Sequence, residues 1–175
     1  MFFENQLKAQ NKYQDKTLPP KVILEKMITQ YLNHTQIQFI EEFHFCFIAT
    51  SNMQGDCDCS FRGSDCDENT GNLLPLLEVI DQKTLLMPDF SGNGLLDSVG
   101  NLIDNPNIGL LFIHPDKAQR LRVNGSVKII LPSDEHLNTW PKAKRILLIK
   151  INRVFFNCHQ RIKSSISNMN TLGKK

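Results

Sequence analysis

Hydrophobic and polar positions change period several times along this chain, and the changes predict its elements. Residues 1–18 are polar, carry no periodic pattern and read as a flexible arm. After Pro19-Pro20, residues 22–32 place Ile23 and Met27, and Leu24 and Ile28, at helical spacing. Thr35 is the expected cap of a second short helix through Ile37, Phe39 and Ile40. Residues 43–50 are then aromatic and apolar and read as a strand, with a turn from Asn52 to Gly55. Residues 57–62 alternate with period two, so Cys57, Cys59 and Phe61 share one face and Asp58, Ser60 and Arg62 the other. The cysteine face is the expected core face.

Residues 64–71 read as a polar loop, and residues 76–80 and 84–87 as a hairpin across Asp81-Gln82-Lys83. A loop with two glycines spans residues 88–94. A helix follows it, with Leu95, Leu96, Val99, Leu102 and Ile103 on one stripe, ended by Asn105-Pro106. Residues 108–113 predict a buried strand. Residues 120–131 predict a long one with Leu121, Val123, Val127 and Ile129 inward, and Arg120, Arg122, Asn124, Ser126 and Lys128 outward. Residues 133–144 read as a polar excursion and residues 146–156 as the last strand. Six or seven strands on short connections favour antiparallel pairing in a barrel. The helix between residues 87 and 108 rules out a plain meander. With no βαβ alternation and no Gly-x-Gly-x-x-Gly, a Rossmann domain is not expected.

Composition narrows the function classes. A chain of 175 residues, 41% hydrophobic and 22% charged, suits one domain with its own core. Its formal net charge of +2 gives no basic face for nucleic acid. No apolar run approaches the ~20 residues of a membrane span, and residues 1–6 do not resemble a signal peptide. The five cysteines are an odd number and are expected to be reduced thiols of a cytoplasmic protein. Cys57 and Cys59, with Cys66 and His44 nearby, lack the usual zinc spacing and are expected to be small core residues rather than metal ligands.

Several motifs occur in a meaningful order: Ser60-Phe61-Arg62-Gly63, Asp89-Phe90-Ser91-Gly92-Asn93-Gly94, Ser98-Val99-Gly100-Asn101-Leu102, Asn105-Pro106-Asn107-Ile108-Gly109-Leu110-Leu111-Phe112-Ile113, Arg120-Leu121-Arg122-Val123-Asn124-Gly125 and Val154-Phe155-Phe156-Asn157-Cys158. Over residues 37–162 the chain resembles the pyridoxamine 5′-phosphate oxidase-like family of FMN-binding split barrels, in an uncharacterised branch. The resemblance implies a mainly β, antiparallel split barrel of six to seven strands with flanking short helices over residues 19–163. It also implies a homodimer with FMN at the subunit interface; the compact Gly92–Gly94 loop and Arg62, with no dinucleotide fingerprint, favour FMN over FAD, and residues 164–175 read as a flexible tail. The adjacent basic residues of the biosynthetic oxidases' phosphate loop are replaced here by Asn93, Gly94 and Ser98, which leaves the substrate open.

The candidate cofactor residues follow from chemistry and resemblance together. An arginine at a strand end can fork two hydrogen bonds to a phosphate, which singles out Arg62 with its motif neighbours Ser60 and Gly63. The alternative is a surface ion pair. Gly92, Asn93 and Gly94 precede a helix whose N-terminus favours negative charge, with Ser98 and Asn101 as further donors. The alternative is an ordinary turn and cap. Arg120 and Arg122 share a strand face and could meet the phosphate or the flavin's pyrimidine edge; Arg122 fits the family's strand better. The resemblance implies that Asn157, Cys158 and Arg161 line the partner subunit's flavin pocket. Two function classes remain: an FMN-dependent oxidoreductase acting on a small molecule, or a non-catalytic flavin- or haem-binding or redox-sensing protein. For haem, only His44 and His114 are placed to serve as axial ligands.

Overall fold

The computed structural model describes residues 4–14, 21–114 and 117–157. Three helices come first: α1 (Glu4–Tyr13), α2 (Lys21–Met27) and α3 (His34–Glu41). Helix α1 lies where the sequence pattern predicts only an arm. It buries no residue and carries one i,i+4 pair, Lys8 with Glu4, so local propensity rather than packing makes it helical. The cap of α3 is Asn33, not Thr35. Its side chain accepts from the Gln36 N–H while Gln36 returns a bond to the Asn33 N–H.

Strands β1 (Phe45–Ser51), β2 (Cys57–Gly63), β3 (Glu78–Asp81) and β4 (Thr84–Asp89) follow, then helix α4 (Asp97–Asp104). Strands β5 (Asn107–His114) and β6 (Gln119–Ile130), helix α5 (Asp134–Thr139) and strand β7 (Arg145–Asn157) complete the described chain. The seven strands form one antiparallel sheet in the order β2-β1-β5-β6-β7-β4-β3. Ile48 near one sheet edge and Leu85 and Met87 near the other belong to a single buried cluster, together with Leu110, Phe112, Leu121, Val123 and Ile149. Those residues can touch only if the sheet curls round a common interior, which makes it a barrel. Phe39 and Ile40 of α3 and Leu102 of α4 join the same cluster.

A bulge keeps the longest pair in register. Asn124 faces Arg153 but Gly125 faces Ile151, so Asn152 is the extra residue. The backbones approach closely there: a Cβ on Gly125 would sit 2.5 Å from the Lys150 carbonyl oxygen.

Two expected faces are reversed or narrowed. Cys57, Cys59 and Phe61 are exposed, not core. Strand β2 is a sheet edge, and α4 packs over its other face, so Asp58, Ser60 and Arg62 are the half-buried side chains. Alternation holds, with the opposite sense. In α4 only Val99 and Leu102 of the predicted stripe are buried: Leu95 and Leu96 precede the helix, which starts at Asp97, and Ile103 lies within it on the solvent side. The excursion at residues 133–144 contains α5, capped by Ser133, and the fully buried Trp140. No described helix is long and apolar enough to cross a membrane.

Candidate functional site

A cleft of about 330 Å³ opens between the α4-facing side of β2 and residues 89–99. Strand alternation aims Asp58, Ser60 and Arg62 into it. The loop after β4 supplies Gly92, Asn93 and Gly94 on the opposite wall. Gly94 has φ +84°, which a side chain disfavours, and nothing in the chain lies within 4 Å of a Cβ built on Gly92 or Gly94. The Asn93 side chain accepts from the Leu95 N–H at 3.1 Å, so it shapes the turn. Leu96, the residue before α4, is left-handed at φ +59° and offers no side-chain cap, so no side chain closes the helix's first-turn N–H groups.

Three carboxylates, Asp58, Asp89 and Asp97, line the cleft with one arginine, Arg62. Asp89, 5% exposed, accepts from Arg145 Nε at 2.9 Å and lies 3.8 Å from the Arg62 guanidinium. Arg62 Nε is buried and has no hydrogen-bond partner, and the same is true of Ser64 Oγ nearby. Asp58 accepts from Ser98 Oγ at 2.6 Å and from Ser60 Oγ at 3.4 Å, and the two hydroxyls lie 2.8 Å apart.

Ser60, Arg62, Asn93, Gly94 and Ser98 therefore meet in one cleft, and Gly63 sits at its end, lining the neighbouring hollow with Ser64 and Phe90. Asn101 turns away and donates to Thr50 Oγ1 at 3.2 Å. Arg122 and Asn157 lie across the barrel wall from the cleft, in a separate hollow of about 380 Å³ shared with Phe47, Cys59, Arg120 and Asn124. Arg122 and Arg153 both stack on the Phe155 ring, at 5.3 and 4.8 Å. Burial first, and the Arg122 charge second, lower the basicity of Arg153. Cys158 and Arg161 lie outside the described residues. His44 is exposed, and His114 is 3.8 Å from Glu42 with its ring against Phe39 and Phe43. Among the described residues no three His, Cys, Asp or Glu side chains come together as a metal site.

Sequence reasoning missed Asp58, Asp89 and Arg145. Alternation already placed Asp58 beside Ser60 and Arg62. Nothing local signals that Asp89 is buried or that Arg145, 56 positions on, reaches it.

Cys46, opposite Arg62 in the β1–β2 register, gives the wall a titratable core residue. Burial pushes its thiol up to about 12, against a smaller downward pull from the Arg62 charge. The folded protein thus keeps the proton that the unfolded chain loses near pH 9. Stability is full below that pH and is expected to fall by about 1.4 kcal/mol per pH unit between about 9 and 12 on this account. Urea melts of wild type and Cys46→Ala across that range check it: the wild-type curve should be steeper by about that slope, and parallel curves would refute it.

The sequence model of the pyridoxamine 5′-phosphate oxidase family matches residues 32–158. Among curated proteins none matches this sequence. Solved structures share the fold at low identity. An FMN-binding protein from Syntrophomonas wolfei aligns over 90% of this chain and 98% of its own, at TM-score 0.51 and 14% identity. A candidate pyridoxamine 5′-phosphate oxidase from Lactobacillus delbrueckii aligns over 73% and 95%, at 0.55 and 15%. HupZ from Group A Streptococcus aligns over 74% and 96%, at 0.53 and 15%. The curled seven-stranded sheet, its inserted helix and this match over most of the chain agree: the protein belongs to the pyridoxamine 5′-phosphate oxidase family, with a split-barrel fold.

Proposed function

We propose that this protein is an FMN-dependent oxidoreductase of the cytoplasm, active as a homodimer with the flavin held where two subunits meet. The observation that carries the reading is the buried Arg62 Nε, without a partner, in the wall of the cleft. An orphaned cationic donor is costly unless a ligand completes it, and an anion is the natural complement. The glycine loop and the uncapped start of α4 add backbone N–H groups of the same sense. FMN, when bound, supplies hydride and electron transfer. The chain holds and orients it and keeps water from one side.

Size and surface support the dimer. A cleft of about 330 Å³ is at the small end of ligand sites, ~300–1,000 Å³. It has room for a phosphate and its chain, which leaves the ring system outside. On the face of β2 that turns away from the cleft, Phe61 is 58% exposed on an edge strand and stacks on Phe45 at 5.6 Å, with Phe47 at 5.9 Å. An exposed edge-strand aromatic backed by two half-buried rings of β1 is a natural contact for a second copy.

Reconstitution tests both parts. FMN should be retained after desalting and recovered intact by mass analysis, and NADH or NADPH should bleach the yellow protein. FAD, or no flavin, would sink the reading, and a flavin that no donor reduces would leave a carrier rather than an enzyme. Phe61→Asp is expected to weaken the dimer by about 2 kcal/mol or more, roughly 30-fold. FMN should be lost in step, since a ligand bound only by the dimer stabilises it. Light scattering against concentration reads the first and flavin fluorescence the second. A monomer that keeps FMN tightly would refute the interface site.

A further inference from the structure

The two ends of the cleft call for different partners. Asp58, Ser60 and Ser98 hold three oxygens within mutual reach: Ser98 Oγ is 2.6 Å from Asp58 Oδ2 and 2.8 Å from Ser60 Oγ, and Ser60 Oγ is 3.4 Å from the same Oδ2. Each serine has one proton and the carboxylate has none. The short contact commits the Ser98 proton to Asp58. Ser98 Oγ then has none left for Ser60, so the Ser60 hydroxyl is the donor to Ser98 or to Asp58. Both protons are used inside the trio, and the trio presents lone pairs to the cleft.

A phosphate monoester carries −1.5 to −2 charge near pH 7 and offers almost no proton. Against this trio it would set acceptor against acceptor beside a carboxylate. The cation of the cleft, the Arg62 guanidinium, stands two residues beyond Ser60 on the same strand face and 3.8 Å from Asp89, and the opposite wall brings the glycine loop and Asp97. The two serines thus cannot serve as phosphate donors while Asp58 holds their protons.

We infer that Asp58, with Ser60 and Ser98, recognises the hydroxyl groups of the carbon chain that carries the phosphate, while Arg62 takes the phosphate itself. The inference rests on the flavin reading above and assigns the parts of one ligand to the two ends of the cleft. It makes Asp58 a specificity-determining residue: the cleft selects a polyhydroxylated phosphate ester over a bare phosphate or an aliphatic one.

Titration with FMN, riboflavin and lumiflavin separates the parts, because riboflavin lacks the phosphate and lumiflavin lacks the whole chain. Asp58→Asn is expected to weaken FMN and riboflavin alike, at least tenfold, and to leave lumiflavin unchanged. Arg62→Ala has the opposite signature, weakening FMN and sparing riboflavin. A second measurement needs no variant: wild type should bind riboflavin at least tenfold more tightly than a flavin with a plain pentyl chain at N10. Equal affinity for those two ligands, or an Asp58→Asn variant that binds FMN more tightly or unchanged, would overturn the assignment and leave flavin binding intact. Wild type that binds none of the flavins would overturn this inference and the proposed function together.

Discussion

Trp140→Ala is expected to cost about 3–5 kcal/mol of stability, the largest effect of any single truncation described for this fold. Trp140 is fully buried among Leu86, Ala143 and Ile146, in a cluster separate from the barrel interior. Its indole N–H donates to the Pro75 carbonyl at 2.7 Å, tying the approach to β3 to the turn before β7. Truncation therefore leaves a cavity and a carbonyl without its donor. Trp140→Phe refills part of the space but not the hydrogen bond, and should cost less, about 1–3 kcal/mol. Trp140 is the chain's single tryptophan, so circular dichroism in a denaturant series is the measurement. The midpoint should fall while the slope stays constant. A loss below about 1 kcal/mol for both variants would mean that the cluster is not a staple. The effect should reach the cleft, because the same turn delivers the Lys144 N–H to the Asp89 carbonyl and starts the strand that carries Arg145.

Trp140 also shows what the sequence leaves out. Period-two alternation in β6 correctly places Leu121, Val123 and Val127 inside, because the strand is central and flanked on both sides. The same alternation in β2 gives the right pairs and the wrong sense. Period two states that Cys57, Cys59 and Phe61 share a face, but only the packing of α4 decides which face is inward. In α4 the apolar run begins before the helix does, so Leu95 and Leu96, part of the stripe in sequence, fall outside it in the structure. At residues 133–144 polarity hides a capped helix and a buried indole, whose hydrogen bond reaches 65 positions back. The candidate site divides in the same way. Ser60, Arg62, Asn93, Gly94 and Ser98 belong to contiguous motifs and come together in the cleft. Asp89 and Arg145 meet only through the β4–β7 register, a long-range pairing that local pattern does not carry.

Arg62→Ala is expected to lower FMN affinity at least tenfold while the fold survives. A charge-assisted hydrogen bond to phosphate is worth ~1.5–3 kcal/mol, or roughly 12- to 150-fold. The fold should tolerate the change for a specific reason. Asp89 is buried, but its hydrogen bond at 2.9 Å comes from Arg145, whereas the Arg62 contact is long, at 3.8 Å. Removing Arg62 thus leaves no buried carboxylate without a partner, and it removes a buried Nε that has none. The Cys46 thiol loses the one charge that pulls it down, which has no consequence near neutral pH because burial already holds it at about 12. Arg62→Lys keeps the charge but not the planar fork, so it should recover part of the affinity. Fluorescence titration at two salt concentrations reads the result. The gap between wild type and Arg62→Ala should narrow as salt rises, because the interaction removed is between charges. Unchanged FMN affinity in Arg62→Ala would return Arg62 to the role of a structural partner of Asp89.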